Sequence, residues 1–273
     1  MQRSVIALGN FDGVHLGHQR ILKDAASFAG RKKLRSLAIT FNPHPQQFIA
    51  PERGLKLLTT LAERKELMLG LGIQAIKVIR FDRRLRGLGY QEFIQKYISH
   101  KLRAAYVFVG YDFNFGRERA GGVSHLRRLG RKYGFVVKVI RPVKEKQHLV
   151  KSSTIRKLIA QGDFDHAITL LGHPYRLTGK VVHGSHRGRD LGIPTANLRL
   201  DEHKLVPSTG SISGKPEKGS AWSISGRGRP LGWTGWRWKC ISSIFPAGYT
   251  AKRCWWTFFA GSGMRSNSRT WSS

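Results

Sequence analysis

Short apolar runs rich in β-branched residues alternate with segments of helical periodicity through the first 172 residues. The runs are VIAL at 5–8, SLAITF at 36–41, IKVIRF at 76–81, AYVFVG at 105–110 and FVVKVI at 135–140. Helix-like segments lie between them, such as GHQRILKDAASFA at 17–29 and TLAERKELMLGLG at 60–72. Near-continuous apolar strands separated by helices predict a parallel sheet with helices on both faces. We therefore predict a Rossmann-like, doubly wound α/β domain over residues 1–172, which would bind its ligand at the carboxyl edge of the sheet.

The pattern changes after Pro174, where residues 175–200 read YRLTGKVVHGSHRGRDLGIPTANLRL. Alternating apolar residues and frequent glycines predict short strands joined by tight turns, the start of an all-β domain over residues 173–210. A second change follows near residue 211. All seven tryptophans lie from Trp222 onward, and from Val206 onward ten Lys and Arg accompany one acidic residue, Glu217.

Composition and charge restrict the classes of function. The chain is 40% hydrophobic and 23% charged, and no run of eighteen apolar residues exists, so we expect a cytoplasmic globular protein without a membrane span or signal peptide. A formal net charge of +32 favours an acidic partner, either nucleic acid or a phosphorylated small molecule. Cys240 and Cys254 are the only cysteines and lack companion ligands at zinc spacing, so we expect no zinc site.

The segment GNFDGVHLGH at residues 9–18 joins the first predicted strand to the first predicted helix. Its three glycines allow a ligand to approach the backbone, and the start of the helix offers N–H groups to an anion. His15 and His18 would both face that anion and donate hydrogen bonds to phosphate oxygens. An HxxH spacing alone carries no such meaning, but the whole segment at a strand-to-helix turn is specific.

This segment resembles the signature of the bacterial FAD synthetases, with HLGH as their form of the HxGH motif of nucleotidyltransferases. Similar segments follow in the family's order: TFNPHP at 40–45, VGYDFNFG at 109–116, VKSSTIRKLIAQGD at 150–163 and LLGHPYRLTGKVVHG at 170–184. The chain thus resembles the bifunctional riboflavin kinase/FAD synthetases over residues 1–209.

The resemblance implies that the N-terminal domain transfers AMP from ATP to FMN and releases pyrophosphate, with Mg²⁺ bridging phosphate oxygens. The nucleophile is already an anionic phosphate, so positioning and charge neutralisation carry most of the catalysis. By position, the implied catalytic residues are His15, His18 and Arg156. The implied ATP- and phosphate-binding residues are Gly9, Asn10, Phe11, Gly17, Lys151, Ser152 and Ser153, and those for flavin and nucleotide are Asn42, Asp112 and Phe115.

One of these motifs departs from the family pattern. The family's ISSTxIR stands here as VKSSTIR at residues 150–156, with Lys151 at the first hydroxyl position and Ser153 in place of a threonine. Ser153 keeps a hydroxyl and Lys151 carries a charge that can meet phosphate, so we expect the site to work. Without the upstream HLGH, Ser152 and Arg156 would read as a helix N-cap and a solvated arginine.

The second domain resembles riboflavin kinase, a small β-barrel that phosphorylates riboflavin with ATP. Its PTAN motif stands at residues 194–197. The resemblance implies Mg²⁺ binding by Thr195, with Asn197 nearby, and a nucleotide loop with Gly179, Lys180 and Gly184. The family also supplies a catalytic glutamate from a later strand, because the neutral ribityl hydroxyl needs a base. No such glutamate is visible here.

The genetic code offers an explanation for the missing glutamate. Codons for Ser211, Ile212 and Ser213, read one base along, permit Val-Tyr-Leu, as in the family. Codons for residues 238–245, read two bases along, force a glutamate codon and permit EVHLLDF, the family's pattern around its glutamate. Two different shifts imply at least two insertions or deletions. We therefore predict that residues 211–273 are an aberrant, frame-shifted and poorly ordered tail, that the barrel is incomplete and that the kinase is impaired.

Two other functions remain open from sequence. Arginines and lysines interleaved with tryptophans also suit single-stranded nucleic acid, so the chain would then be a nucleic-acid-binding protein on a nucleotidyltransferase fold. An HxGH nucleotidyltransferase with another phosphate substrate is the second. Our main interpretation has ATP, FMN and riboflavin as small-molecule partners, with neither membrane nor nucleic acid binding. No residue pattern predicts an oligomeric state.

Overall fold

The structure, a computed structural model, describes residues 3–145, 148–182, 195–206, 212–214, 222–225, 237–241 and 254–258. The chain forms two units. The first comprises Met1–Leu55 and Leu61–Lys151, and the second comprises Lys56–Thr60 and Ser152–Ser273.

A five-stranded parallel sheet is the centre of the first unit. Its strands are β1 (Ser4–Leu8), β2 (Arg35–Asn42), β3 (Ala75–Arg80), β4 (Ala104–Gly110) and β5 (Val136–Ile140). The strand order is β3-β2-β1-β4-β5, and each neighbouring pair is parallel. Every residue of β1 is buried, because β1 lies in the middle of the sheet. The predicted doubly wound α/β fold is confirmed.

Helices cover both faces of this sheet. They are α1 (Leu16–Arg31), α2 (Pro45–Ile49), α3 (Leu61–Gly70), α4 (Arg83–Gly87), α5 (Tyr90–Phe93), which continues as a π-helical segment (Ile94–Lys101), and α6 (Val123–Tyr133). The alternation of side chains along β1 produces two cores, since Ile6 and Leu8 enter one apolar cluster while Val5 and Ala7 enter the other. Short 3₁₀ turns lie at Pro51–Arg53 and Arg117–Arg119, and a two-stranded hairpin joins β6 (Lys144–Glu145) to β7 (His148–Leu149).

The second unit contains two helices and an antiparallel sheet. The helices are α7 (Ser152–Gln161) and α8 (Phe164–Leu171), and the strands are β8 (Tyr175–Val182), β9 (Thr195–Leu200), β10 (Ile212–Gly214), β11 (Trp222–Ser225), β12 (Arg237–Ile241) and β13 (Cys254–Phe258). Their order is β10-β11-β12-β9-β8-β13. The predicted change from α/β to β structure after Pro174 is therefore confirmed.

The short segment Lys56–Thr60 belongs to the second unit through hydrogen bonds to residues beyond β9. Leu57 N donates to His203 O at 2.6 Å, and Leu205 N donates to Leu57 O at 2.7 Å. Lys204 is 2% exposed, donates from Nζ to Leu58 O at 2.6 Å and lies 4.5 Å from the ring centroid of Tyr175. These contacts fix the segment against the start of the β structure.

The predicted domain boundaries can be set beside these units. The units divide between Lys151 and Ser152, earlier than the boundary predicted at residues 172 and 173. Four short strands fall within the predicted tail, 211–273, and the rest of that tail lies outside the described residues. The boundaries and the aberrant, poorly ordered nature of the tail stay predictions. Within the described ranges, every helix is too short or too polar to cross a bilayer.

Candidate functional site

Three loops leave the same edge of the parallel sheet. Strands β1, β2 and β4 end at Leu8, Asn42 and Gly110 and are neighbours, so the residues that follow them start side by side. Gly9 N donates to Ile39 O at 3.2 Å, which continues the β1–β2 ladder into the first loop. The carboxyl edge is where doubly wound sheets bind ligands, and most of the first unit's predicted site residues lie here.

His15 and His18 form one structural element at the start of α1. His15 is the N-cap residue, and its Nδ1 accepts a hydrogen bond from His18 N at 3.4 Å. The two imidazole rings are stacked, with centroids 3.7 Å apart and an angle of 18° between their planes. Because Nδ1 of His15 accepts, the ring hydrogen of neutral His15 is on Nε2. The structure thus brings together the two histidines that the sequence predicted as phosphate ligands.

Phe11 and Gly17 pack around the histidine pair. The Phe11 ring is fully buried and meets the His18 ring edge-on, with centroids 5.4 Å apart. A Cβ at Gly17 would lie 3.2 Å from Cε1 and 3.3 Å from Nδ1 of His15. A Cβ at Gly9 would lie 3.1 Å from the Phe11 ring. Both glycines therefore leave space for rings, and Phe11 supports His18 from within the core.

The loop between β1 and α1 has strained backbone at two residues. Phe11 has φ of 52° and Val14 has φ of 38°, although neither is glycine and Val14 is β-branched. Such conformations persist only where the surroundings hold them, and they concentrate at functional sites. Gln19 provides one restraint, because its Nε2 donates to Val14 O at 3.1 Å and its side chain is buried.

A buried arginine, Arg64 of α3, provides a second restraint. Its Nη1 donates to Asn10 O at 3.1 Å and to Thr40 Oγ1 at 3.3 Å, and Thr40 Oγ1 itself donates to Asn10 O at 2.9 Å. Its Nη2 lies 3.7 Å from Asp12 Oδ1, and both side chains are 2% exposed. The carbonyl of Asn10 thus accepts two hydrogen bonds, one from Arg64 of α3 and one from Thr40 of β2.

Sequence reasoning missed Arg64, although the pattern of α3 contained a signal. The apolar side of that helix carries Leu61, Leu67 and Met68, and Arg64 lies on the same side at helical spacing. A charged residue that is buried beside an apolar stripe needs a buried partner, since an unpaired buried charge is costly.

The segment after β2 contains a second buried histidine. Asn42, the predicted flavin or nucleotide contact, is exposed, and its carbonyl accepts from Phe81 N at 3.0 Å. His44 is 5% exposed and caps α2, since its Nδ1 accepts from Gln46 N at 3.2 Å. His44 therefore acts as a structural cap, whereas Asn42 is open to solvent.

The loop after β4 places its two predicted site residues differently. Asp112 is exposed, and its backbone oxygen accepts from Asn114 Nδ2 at 2.8 Å. Phe115 is 8% exposed and belongs to the apolar core, with its ring 6.0 Å from that of Phe93. Asp112 therefore faces solvent at the edge, while Phe115 anchors the loop to the core.

The remaining predicted residues of the adenylyltransferase site lie at positions 151–156, where the sequence passes from the first unit to the second. Lys151 is exposed at the end of the first unit, and Ser152 and Ser153 open α7 in the second. Arg156 is half-buried, and its Nε donates to Lys56 O at 2.8 Å within the second unit. These four roles stay predictions.

The predicted kinase half-site is partly described. Gly179 and Lys180 lie in β8, where a Cβ at Gly179 would come within 2.9 Å of Arg199 O. Thr195 and Asn197 lie in β9, and Asn197 is paired with Val182 on one side and with Lys239 on the other. Gly184 lies outside the described residues. The close β8–β9 approach explains the glycine at position 179.

The electrostatic character of the described part is simple. No three His, Cys, Asp or Glu side chains come together there as a metal site would require. The side-chain hydrogen bond from His166 lowers the pKa of Asp163, at the start of α8, below its usual 3.8. That residue lies in the second unit and serves as a helix cap.

Comparison with known families gives two matches. The model described as FAD synthetase matches residues 1–154, and the model described as riboflavin kinase matches residues 171–234. The second match extends past residue 211, where the tail was predicted to begin.

Curated relatives carry both activities in one name. A bifunctional riboflavin kinase/FMN adenylyltransferase from Listeria monocytogenes is 38% identical over 209 residues, 76% of this chain and 65% of that protein. Proteins of the same name from Pseudomonas fluorescens and Escherichia coli K12 are 37% and 35% identical, over 76% and 72% of this chain and 66% and 63% of their own lengths. The chain therefore spans slightly less than two thirds of these relatives.

A solved structure with similar architecture is the crystal structure of a macrolide-efflux protein from Streptococcus pneumoniae. It has a TM-score of 0.79 and 26% sequence identity, and the match covers 98% of this chain and 89% of that one. Since the FAD synthetase model alone matches more than half of the residues, the resemblance seen in GNFDGVHLGH is confirmed, and the chain belongs to the FAD synthetase family.

Proposed function

We propose that this chain synthesises FAD by transferring AMP from ATP to FMN, with release of pyrophosphate. The observation that carries the proposal is the stacked pair of His15 and His18 at the start of α1, where two imidazoles lie in the N-cap and the first turn of a helix. A helix N-terminus attracts phosphate through its N–H groups and its dipole. The family match and the names of the relatives support the same reaction.

In the proposed reaction, a phosphate oxygen of FMN attacks the α-phosphorus of ATP. The bond between the α-phosphorus and its bridging oxygen breaks, and that oxygen leaves with the bonding electrons as part of pyrophosphate. His15 and His18 donate hydrogen bonds to the triphosphate as charge develops. The attacking phosphate is already an anion, so no protein base is required, and preorganised donors supply most of the rate enhancement.

The other first-unit residues have binding roles in this proposal. Gly9, Asn10, Phe11 and Gly17 shape the loop that receives phosphate, and Lys151, Ser152, Ser153 and Arg156 contribute charge and hydroxyls to the nucleotide. Asn42 and Asp112, both exposed at the carboxyl edge, are proposed contacts of the flavin or the adenosine. We propose that Phe115 acts by holding the loop of Asp112, in accordance with its core position.

Mg²⁺ fits the proposed reaction as an ion that arrives with ATP. The described residues build no cluster of ligands for it, and Mg²⁺ commonly uses substrate phosphates and water with few protein ligands. When bound, it would neutralise charge on the phosphates. In the kinase half, Thr195 is the proposed protein ligand, with Asn197 nearby. ATP and FMN are cytoplasmic metabolites, so we propose the same location for the enzyme.

We also propose that riboflavin phosphorylation is impaired in this chain. Gly179, Lys180, Gly184, Thr195 and Asn197 would still bind the nucleotide. A base is missing, because Glu217 is the sole acidic residue after Val206 and does not lie in a sequence that resembles the family's glutamate strand. Without a base, the neutral ribityl hydroxyl is a poor nucleophile.

The decisive experiment is chromatography of flavins after incubation of the purified chain with Mg²⁺, ATP and either riboflavin or FMN. We expect FAD from FMN and unchanged riboflavin. Conversion of riboflavin would contradict the impaired kinase. Absence of FAD, together with binding to DNA or RNA that weakens steeply with salt, would favour the nucleic-acid-binding alternative. Turnover of another phosphate substrate in competition with FMN would favour a different nucleotidyltransferase.

A further inference from the structure

We propose that Arg64 is a positioning residue of the adenylyltransferase site, and that it acts by holding the β1–α1 loop in the strained conformation that binds phosphate. The proposal rests on the proposed function for its activity readout. Arg64 reaches the site from α3, a helix that the sequence motifs do not include. Its side chain is 2% exposed, so it acts on the ligand through the loop rather than by contact.

The hydrogen bonds of Arg64 show which part of the loop it controls. Nη1 donates to the carbonyl of Asn10, and the same carbonyl accepts from Thr40 Oγ1, which also accepts from Nη1. This triangle fixes the peptide between Asn10 and Phe11. Phe11 is the first residue with positive φ in the loop, so the triangle restrains the backbone where the strain begins.

The positive charge of Arg64 also compensates a buried carboxylate, Asp12. Asp12 is buried, and its Oδ1 lies 3.7 Å from Arg64 Nη2. A buried carboxylate beside a phosphate-binding loop would oppose an anionic ligand unless a cation compensates it. Arg64 therefore holds the Asn10 carbonyl in position and compensates the charge of Asp12. The planar guanidinium can do both at once, whereas a lysine ammonium is a single point charge.

The conformation of the loop determines the positions of the two histidines. Phe11 contacts the His18 ring, and Val14 precedes His15, the cap of α1. Gln19 holds the far end of the loop through Val14 O, and Arg64 holds the near end through Asn10 O. A loop released at the Asn10 end would displace Phe11 and the ring that rests on it.

The test compares Arg64→Lys, Arg64→Met and the double variant Asp12→Asn/Arg64→Met in the full chain, with Lys65→Met as a matched control. Lys65 is the next residue of α3 and is exposed. For each variant, kcat and KM for FMN adenylyltransfer, the melting temperature, and ATP binding by calorimetry are measured. We expect Arg64→Lys to melt near the wild-type temperature and to lose roughly 10²-fold in kcat, the order expected for a displaced site.

The double variant separates positioning from folding. It removes both members of the buried Asp12–Arg64 pair, so we expect it to recover much of the stability that Arg64→Met alone loses, but not the rate. Wild-type kcat and ATP affinity in Arg64→Lys would overturn the proposal, as would recovery of full activity in the double variant. If the wild-type chain binds ATP but makes no FAD, the proposed function fails. ATP affinity at least 10-fold weaker in Arg64→Lys would then still support the role of Arg64.

Discussion

The imidazole rings of His15 and His18 are stacked, with centroids 3.7 Å apart, because His15 caps the helix on which His18 is the third residue. The cap directs His15 back along the helix, and the hydrogen bond from His18 N to His15 Nδ1 fixes the pair. One short segment of sequence thus produces both the helix start and two side-chain donors beside it. The positions of the two rings depend on local backbone geometry, which small substitutions can change.

Loss of the His18 ring should slow FAD synthesis without unfolding the chain. We expect His18→Ala to reduce kcat by roughly 10²–10³-fold, the usual loss for one preorganised donor. His100→Ala is the matched control, since His100 is exposed in the π-helical segment and should leave the rate unchanged. Steady-state formation of FAD from FMN measures both. Near wild-type turnover in His18→Ala would contradict the role proposed for the histidine pair.

A methyl group at position 17 should separate activity from stability. A Cβ there would press on Cε1 and Nδ1 of His15 at 3.2 and 3.3 Å, so the ring must move by a few tenths of an ångström. We expect Gly17→Ala to lose at least about 10-fold in rate while changing stability by less than about 1 kcal/mol. Gly30→Ala, in the same helix, has nothing within 4 Å of the new Cβ and should keep full activity. Equal rates in the two variants would refute the coupling of Gly17 to His15.

The opposite outcome is expected at Gly130 in α6. A Cβ there would lie 2.6 Å from Phe135 O, a backbone atom that cannot easily move away. We expect Gly130→Ala to lower the free energy of unfolding by about 1–3 kcal/mol, although alanine is the better helix former. Urea denaturation of this variant beside Gly30→Ala gives the comparison. A gain in stability at both positions would show that α6 can shift away from β5.

The sequence predicted the first unit well because its signals are local and repeated. Five apolar runs and the helices between them determine a parallel sheet, and GNFDGVHLGH identifies the edge that matters. Arg64 and Gln19 were not foreseen as parts of the site, because their partners are backbone carbonyls of the β1–α1 loop. No local pattern in a sequence shows which carbonyl a buried side chain will reach. Phe115 illustrates the same difficulty, since its motif does not reveal that its ring joins the core.

The segment Lys56–Thr60 was unpredictable for a related reason. No element was predicted for residues 56–59, and the partners of this segment, His203, Lys204 and Leu205, lie far along the chain. Hydrogen bonding between segments so far apart in sequence depends on tertiary structure rather than on the β propensity of either segment. The division of the chain into units therefore differs from the division suggested by changes in composition alone.

Acid should weaken the second unit partly through Asp163. The hydrogen bond from His166 lowers the pKa of this N-cap carboxyl below its usual 3.8, so its stabilising contribution is complete above that value and is lost as the pH falls through the lowered pKa. We expect Asp163→Ala to cost about 1 kcal/mol at neutral pH. Asp163→Asn keeps a cap but does not titrate, so its difference from wild type should change below about pH 4. Thermal melting from pH 7 to pH 2.5 measures this, and parallel curves for wild type and Asp163→Asn would contradict it.

Restoring the predicted reading frame should restore riboflavin phosphorylation. Read two bases along, the codons of Trp238 and Lys239 force a glutamate, and β12 pairs these two residues with Leu198 and Asn197 of β9. The recovered carboxylate would therefore lie on the strand beside the PTAN motif, within the sheet that the proposed kinase half-site occupies. We expect a gene corrected across residues 211–258 to encode a chain that converts riboflavin to FMN, while the present chain does not. Both chains should make FAD from FMN at similar rates, which controls for folding of the first unit. Kinase activity in the present chain, or its absence in a corrected chain that still makes FAD, would contradict the frame-shift hypothesis.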